Sequence, residues 1–262
     1  MTVITSAANP LVKRIRKLRD RRARQAERAF YVEGVQPVWR AHDAGADIEV
    51  LVVSPELMSG GPAGPLVDGF VRAGGALVEV SRDVFAAMSE RDGPAGVAAV
   101  VRLPVTSLSD IAVHPGAVVV GLHDVANPGN LGTIVRTADA FGAAGVVLIG
   151  DTADAYSPAA VKASMGSLFA LPVVTVGAVG EAFEWATGAQ LSVVTTSARG
   201  AIAVPRAVVP KPSLVVFGNE GAGLPPDVIA AGALDLRIPM RGSASSLNLA
   251  VAAGIVLYLA TA

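Results

Sequence analysis

Ile238-Pro239-Met240-Arg241-Gly242-Ser243-Ala244-Ser245-Ser246-Leu247-Asn248-Leu249-Ala250 closes a strand, turns through small and polar residues, and enters a helix. From Leu249 to Leu259 the only side chain that can hydrogen-bond is Tyr258. A helix that is apolar all round is expected to be buried on all sides. Its length suits a core helix and is too short for a bilayer. Ser246 and Asn248 stand at its mouth, where an apolar helix gains nothing from them. A buried amide without partners costs about 1–3 kcal/mol. Asn248 therefore either ties down neighbouring backbone or faces a ligand.

The remainder of the chain frames that choice. Its 262 residues are 52% hydrophobic and 16% charged, which predicts a globular chain with a substantial core in one large or two modest domains. Cysteine is absent, which removes disulfides, thiolate metal sites and cysteine nucleophiles from consideration. No stretch has the apolar core of a signal peptide or the length of a membrane span, so the expectation is a soluble, cytoplasmic protein.

The net charge of −1 conceals an asymmetry. Lys13, Arg14, Arg16, Lys17, Arg19, Arg21, Arg22, Arg24 and Arg28 face only Asp20 and Glu27 in the first 30 residues, and the chain beyond them is acidic on balance. A charge run can be a solvated helix face. A one-signed field also recruits phosphates, which makes nucleic acid the first candidate partner. Asn9-Pro10 reads as a cap with proline at the first helical position, and Leu11, Ile15 and Leu18 recur at helical spacing. The prediction is one amphipathic, arginine-rich helix.

Strands are predicted at 30–34, 49–53, 77–80 and 96–102, with helices at 35–45, 66–73 and 83–89 and a Gly/Pro-rich loop at 59–64. That alternation predicts a small α/β domain over residues 1–104 with a mainly parallel sheet. Pro104 to Pro115 breaks the pattern, and residues 105–116 read as a linker. A second α/β series follows over 117–262. Its strands are predicted at 117–122, 145–149, 171–176, 191–196, 213–217 and 235–238, and its helices at 130–141, 158–167, 179–187, 225–231 and 249–259.

Three loops in that second series hold more Gly and Asn than packing requires, each at the carboxyl end of a strand, where open α/β sheets bind ligands. The first is Asn127-Pro128-Gly129-Asn130-Leu131-Gly132-Thr133-Ile134-Val135-Arg136. Pro-Gly predicts a turn and Asn130 a helix cap. Arg136 is either a solvated arginine or a purposeful one. The second is Phe217-Gly218-Asn219-Glu220-Gly221-Ala222-Gly223-Leu224, whose glycines admit close approach to backbone N–H groups. The third is the opening stretch. His42, His114 and His123 lie outside these signatures, no metal-ligand cluster is visible, and no Ser-His-Asp order appears. Glycine turns, amides and one arginine suit group transfer from a bound cofactor to a polyanionic acceptor.

Asn-x-Gly-x-x-x-Arg, Gly-x-Glu-x-x-Gly-Leu and Ile-Pro-Met-x-Gly-x-x-x-Ser-Leu-Asn, in this order before the C-terminus, resemble the SpoU-type branch of the SPOUT RNA methyltransferases. The resemblance covers 117–262 and, less sharply, extends to an N-terminal substrate-binding domain over 1–104. It implies methyl transfer from S-adenosylmethionine to a ribose 2′-hydroxyl, in ribosomal RNA ahead of transfer RNA. It also implies a trefoil-knotted C-terminal α/β domain, a homodimer formed through that domain, and no metal. Matched residue by residue, it implies functional roles for Asn130, Arg136, Glu220, Ser246 and Asn248. Cofactor contacts are implied at Gly218, Gly223, Ile238 and Leu247, with Thr195 and Thr196 bordering the adenine. RNA contacts fall to Lys13, Arg14, Arg16, Lys17, Arg21, Arg22 and Arg24. Ser245 stands where many relatives carry an acidic residue, and Ala250 where serine is common.

The family reading casts an arginine as the base, yet guanidinium stays protonated in proteins. Arg136 is therefore expected to pair with the phosphate beside the target ribose and to stabilise developing negative charge. Asn130, Ser246 and Asn248 are expected to hold the loops and the Arg136 side chain, and Glu220 to accept N–H groups. Two other readings stand beside this one. One is a knotted RNA-binding or ribosome-assembly protein without catalysis. The other is a small-molecule enzyme on a Rossmann-like sheet.

Overall fold

The computed structural model describes residues 3–58, 63–90 and 93–261, which divide into two compact units. The first begins with α1 (Pro10–Lys17) and α2 (Arg21–Glu27), followed by β1 (Ala29–Glu33), α3 (Val35–Asp43), β2 (Ile48–Val53), α4 (Pro55–Met58), α5 (Ala63–Arg72), β3 (Leu77–Glu79), α6 (Arg82–Met88) and β4 (Val97–Arg102). The arginine-rich stretch is thus two helices. Asn9 caps α1, its side chain accepting from Leu11 N, and Asp20 caps α2 by accepting from Ala23 N. The expected loop at 59–64 lies partly outside the described residues, and its described end, Ala63 and Gly64, belongs to α5.

The sheet of this unit corrects the expectation of parallel strands. Its order is β1-β4-β2-β3. β2 and β3 are parallel, but β4 enters between β1 and β2 and runs antiparallel to both. An apolar run such as Val97-Ala98-Ala99-Val100-Val101 tells that a strand is buried but not which way it points. Val12, Ile15 and Leu18 meet Val50, Val52, Val84, Phe85, Met88 and Val100 in one buried cluster, so the inward face of α1 is core and its outward face is basic.

The second unit opens at Val105. The expected linker at 105–116 packs as part of it: Thr106 Oγ1 donates to Val173 O (2.7 Å) and Ile111 is buried in the core. Then come β5 (Val118–His123), α7 (Pro128–Ala140) and β6 (Gly145–Ile149). The next segment, Tyr156–Ala170, belongs to the first unit and carries α8 (Pro158–Ser164). There Tyr156 and Phe169 close on Phe30, with ring centroids 4.9 and 6.0 Å away. A division of the chain at 104/117 misses this return.

From Leu171 the second unit resumes with β7 (Val173–Val176), α9 (Val179–Gly188), β8 (Ser192–Thr196), β9 (Ile202–Ala203), β10 (Ser213–Phe217), α10 (Pro226–Ala230), β11 (Leu234–Arg237) and α11 (Leu249–Thr261). The sheet order is β7-β6-β5-β10-β8-β11-β9, and every pairing is parallel. Val119, Val147, Ile149, Val174, Leu214 and Val216 face one core with Ala182 and Ala186 of α9. Val120, Leu122, Val146, Leu148, Val215 and Phe217 alternate with them and are buried too. That is the near-continuous apolar reading of a sheet covered on both faces.

α11 departs from the expectation of burial on all sides. Ala250, Ala253, Val256, Leu257 and Ala260 are buried, and the helix packs along α7. Val251, Ile255, Tyr258 and Leu259 are exposed, Tyr258 at 62%. An all-apolar sequence states what a helix can be buried by, not whether one chain supplies the whole cover.

Candidate functional site

The chain starts the second sheet at β5, winds outward through β6 and β7, and later inserts β10 on the other side of β5. The loops after β5 and β10 are neighbours as a result, at the kind of switch point where open parallel sheets bind ligands. The ends of β8 and β11 lie beyond them on the same edge. Together with the segment 238–249 they enclose a cleft of about 1230 Å³.

In the first loop the cap is Asn127, not Asn130. Its Oδ1 accepts from Asn130 N (3.0 Å), and Pro128 and Gly129 form the first turn of α7 instead of a separate turn. Proline at that position gives up an N–H that the helix would leave unpaired anyway. Asp124 precedes the loop with φ of 51°, and its Oδ1 accepts from Asp151 N (2.8 Å).

The second loop folds around Asn219. Its Nδ2 donates to Asp124 O (2.8 Å), and its Oδ1 accepts from Gly221 N (2.9 Å) and Ala222 N (3.0 Å). Gly218 is required for a different reason: a Cβ there would come within 2.3 Å of Gly223 C. Side chains at this position are excluded by backbone, and the tight turn keeps Gly218 on the cleft wall.

The third stretch joins the other two through amides. Asn248 Nδ2 donates to Asn130 Oδ1 (3.0 Å), and Asn130 Nδ2 donates to Glu220 Oε1 (3.0 Å). Glu220 also accepts from Ala126 N (3.2 Å) and Asn127 N (3.1 Å). Asn248 Oδ1 accepts from Ala250 N (2.9 Å) and Val251 N (3.3 Å), which caps α11. Of the two roles the sequence leaves open for Asn248, backbone support is realised, and the side chain also lines the cleft. Partial burial pushes the Glu220 carboxyl up. The Asn130 amide and the backbone N–H groups of Glu220, Ala126 and Asn127 outweigh it and hold the carboxyl below its ordinary range.

The structure brings most of the expected residues to this cleft and leaves some out. Asn130, Thr196, Gly218, Glu220, Gly223, Ile238, Ser246, Leu247 and Asn248 line it. Thr195 does not. It is fully buried, and its hydroxyl donates to Leu234 O (3.3 Å) and Asp235 Oδ1 (3.1 Å), so its role is in the β8–β11 pairing. Arg136 is exposed two turns along α7 and outside the cleft lining, and it is not among the hydrogen-bond partners of Asn130 and Asn248. Asn127 and Asn219 are the polar residues whose importance the sequence understates. Asn127-Pro128 repeats the Asn9-Pro10 signature that correctly marks α1, and that repetition was the available signal.

The basic residues of the first unit also sort by geometry. Lys13, Arg16, Lys17, Arg21 and Arg22 are exposed. Arg24 is only 3% exposed and donates to Leu18 O (2.8 Å) and Arg19 O (2.7 Å), which corrects its assignment as an RNA contact. Arg14 is half-buried between Glu27 and Glu49, the latter 2.7 Å away. Its charge is committed within the fold.

Comparison with known proteins matches each part of the chain to a family model. The SpoU rRNA Methylase family matches residues 117–258, and the MRM3-like substrate binding domain matches 9–99. The chain is 36% identical to the 23S rRNA (uridine(2479)-2′-O)-methyltransferase of Streptomyces viridochromogenes, over 92% of this chain and 84% of that one. It is 32% identical to the 23S rRNA (guanosine(2553)-2′-O)-methyltransferase RlmP of Bacillus subtilis (strain 168), over 98% of both. Among solved structures, the AdoMet-bound rRNA methyltransferase from Sinorhizobium meliloti superimposes with a TM-score of 0.88 at 37% identity, covering 99% of this chain and 97% of that one. With its parallel sheet, three-loop cleft and matched first domain, the chain belongs to the SpoU rRNA methylase family.

Proposed function

We propose that this protein transfers a methyl group from S-adenosylmethionine to the 2′-hydroxyl of a ribose in 23S ribosomal RNA. The observation that carries the reading is the hydrogen-bonded series Asn248–Asn130–Glu220, which ties the three motif-bearing loops around one cleft. The two relatives above modify a uridine and a guanosine of 23S rRNA, which supports the RNA class and leaves the base to the first domain or the cleft rim.

The cleft suits a sulfonium cofactor on its own chemistry. Its lining includes one carboxylate, Glu220, and among the described residues one cation, Arg237, whose guanidinium already donates to Gly200 O and Ala201 O. A cationic ligand therefore meets no uncommitted positive charge on the walls. Gly218, Gly223, Ile238 and Leu247 would hold the cofactor, largely through backbone and apolar contact, with Thr196 at the β8 side. Bound there, S-adenosylmethionine supplies an already activated methyl group.

The protein's own part is placement. Asn130, Glu220 and Asn248 hold the loops in register before substrate arrives. Ser246, exposed on the cleft wall, faces the ribose. Arg136 pairs with the adjoining phosphate and offsets negative charge on the 2′-oxygen as its proton passes to water. Lys13, Arg16, Lys17, Arg21 and Arg22 supply the electrostatic grip on RNA from the first unit. The exposed apolar stripe Val251, Ile255, Tyr258 and Leu259 is the face by which two copies associate, and the segment 238–261 is the part threaded in a trefoil knot. The working compartment is the cytoplasm, where ribosomes are.

The decisive experiment is methyl transfer to an unmodified 23S rRNA transcript, with mapping of 2′-O-methylated nucleotides. One modified ribose is expected, and transfer RNA should not be labelled. Binding without transfer would favour a non-catalytic RNA partner. In Arg136→Ala, transfer should fall about 100-fold with cofactor affinity kept. Transfer near the wild-type rate would remove Arg136 from the mechanism.

A further inference from the structure

Within the segment 238–249 the wall of the cleft is interrupted at one place. Met240 and Ser245 both line it, but the four residues between them do not. Arg241, Gly242, Ser243 and Ala244 are all exposed, so the segment leaves the cleft and comes back, forming a rim on its edge. Arg241 is the only charged residue after Arg237. No acidic residue follows Asp235, so neither the rim nor α11 offers Arg241 a carboxylate. It makes no hydrogen bond or ion pair with any described residue. Several arginines are committed within the fold instead: Arg237 is fastened to Gly200 and Ala201, Arg19 to Glu90, and Arg102 to Asp47 and Glu49.

We propose that Arg241 is an RNA-binding residue that grips a phosphodiester next to the target nucleotide, with the Ser243 hydroxyl beside it on the same rim. The inference rests on the methyl-transfer reading of the cleft and adds a contact that the three motifs do not assign. A guanidinium presents a planar fork of donors that matches phosphate oxygens, and an uncommitted one does not have to break an internal ion pair first. Two anions come to this cleft, the RNA phosphate and the carboxylate of the cofactor. The position of Arg241 on the rim, outside the lining, favours the ligand that covers the cleft from outside, which is RNA. Ser245, uncharged at the return of the loop, leaves the field of Arg241 intact.

The test uses the full chain and an unmodified 23S rRNA transcript. Arg241→Ala should raise the RNA KM about 5- to 10-fold and leave kcat within about twofold, because a phosphate contact positions without touching the reacting bond. The slope of log RNA affinity against log salt should fall by about 0.7, as expected for one phosphate contact to single-stranded RNA. Arg241→Lys should keep that slope and recover part of the affinity. Ser243→Asp, which gives Arg241 a neighbouring carboxylate, should reproduce the loss. Calorimetry with S-adenosylmethionine alone should give the same affinity for wild type and Arg241→Ala. An unchanged RNA KM and salt slope overturns the proposal, and so does a parallel loss of cofactor affinity, which would make the cofactor carboxylate the anion. Filter binding of the transcript reads the salt slope even without transfer. A wild type that binds RNA through Arg241 yet transfers no methyl would therefore overturn the enzyme reading and leave this one standing.

Discussion

The cleft of the second unit and the basic helices of the first use polar side chains in opposite ways. Around the cleft the amides and the carboxylate are spent on one another: Asn248, Asn130 and Glu220 form one series, and Asn127 and Asn219 close their own turns. On α1 and α2 the exposed Lys13, Arg16, Lys17, Arg21 and Arg22 stand apart from the two arginines that the fold consumes, Arg14 and Arg24. The contrast teaches that a residue's chemistry is decided by whether its partners are already in the chain. A satisfied network keeps a site in shape for a reaction, whereas unsatisfied cations wait for a polyanion.

The largest effect expected from breaking this contrast is at the centre of the network. Glu220→Ala removes the acceptor for Asn130 Nδ2, Ala126 N and Asn127 N together, which frees the first loop from the second. Methyl transfer to the 23S rRNA transcript should fall at least ~100-fold, the scale on which misplaced catalytic geometry costs rate. Glu220 is exposed, so the thermal midpoint should hardly move. A variant within threefold of wild type in kcat/KM would show that the series is incidental to the reaction.

Arg24→Ala probes the other region and should cost stability instead of activity. Removing the guanidinium leaves Leu18 O and Arg19 O without their donor at the end of α1, in a site that is nearly closed to water. The loss should be about 1–3 kcal/mol in denaturant unfolding. Arg21→Ala and Arg22→Ala should instead change stability by less than about 0.5 kcal/mol and lower the salt slope of RNA binding. If Arg24→Ala matched those two in both assays, the sorting of the arginines by burial would be wrong.

How much of this was legible before folding follows the same divide between local and distant information. β6 and β10 have the bounds that their apolar runs predict, because a buried parallel strand is written in five consecutive residues. The three motif loops were legible from glycine, asparagine and their order. The antiparallel entry of β4 was not, since direction depends on which neighbours accept the strand. Nor was the return of Tyr156–Ala170 to the first unit, which depends on Phe30 more than 120 positions earlier. Arg24 looked like its neighbours because a charge run does not say which member points inward. Asn130 reads as a cap because it stands near the helix start, but the proline at 128 moves that start upstream and gives the cap to Asn127.

Asn219 gives a smaller and more local effect. Its amide spans Asp124 O, Gly221 N and Ala222 N, so Asn219→Ala should loosen the turn that presents Gly218 while leaving the Glu220 contacts possible. The cofactor KM should rise about tenfold, roughly 1.4 kcal/mol, with kcat changed far less. Asn219→Asp keeps the acceptor for the two N–H groups and loses only the donor to Asp124 O, so it should recover part of the affinity. Equal losses in both variants would mean that the Asp124 contact alone shapes the loop.

The smallest effect sharpens the comparison by pH. The folded carboxyl of Glu220 titrates below its ordinary range because Asn130 and three backbone N–H groups favour its charged form. A depressed carboxylate contributes stability that is fully present above the unfolded pKa and is lost as pH falls through the folded one. Loop order, read as S-adenosylmethionine affinity, should therefore be flat from neutral pH down to the ordinary carboxylate range and decline only below it. Glu220→Gln carries no titrating group, so its affinity should begin lower and lack that decline. RNA binding by the arginines of α2 should ignore this window, because guanidinium does not titrate there. A common acid limb in cofactor and RNA affinity would place the controlling carboxylate outside the cleft and separate the network from the order it is held to maintain.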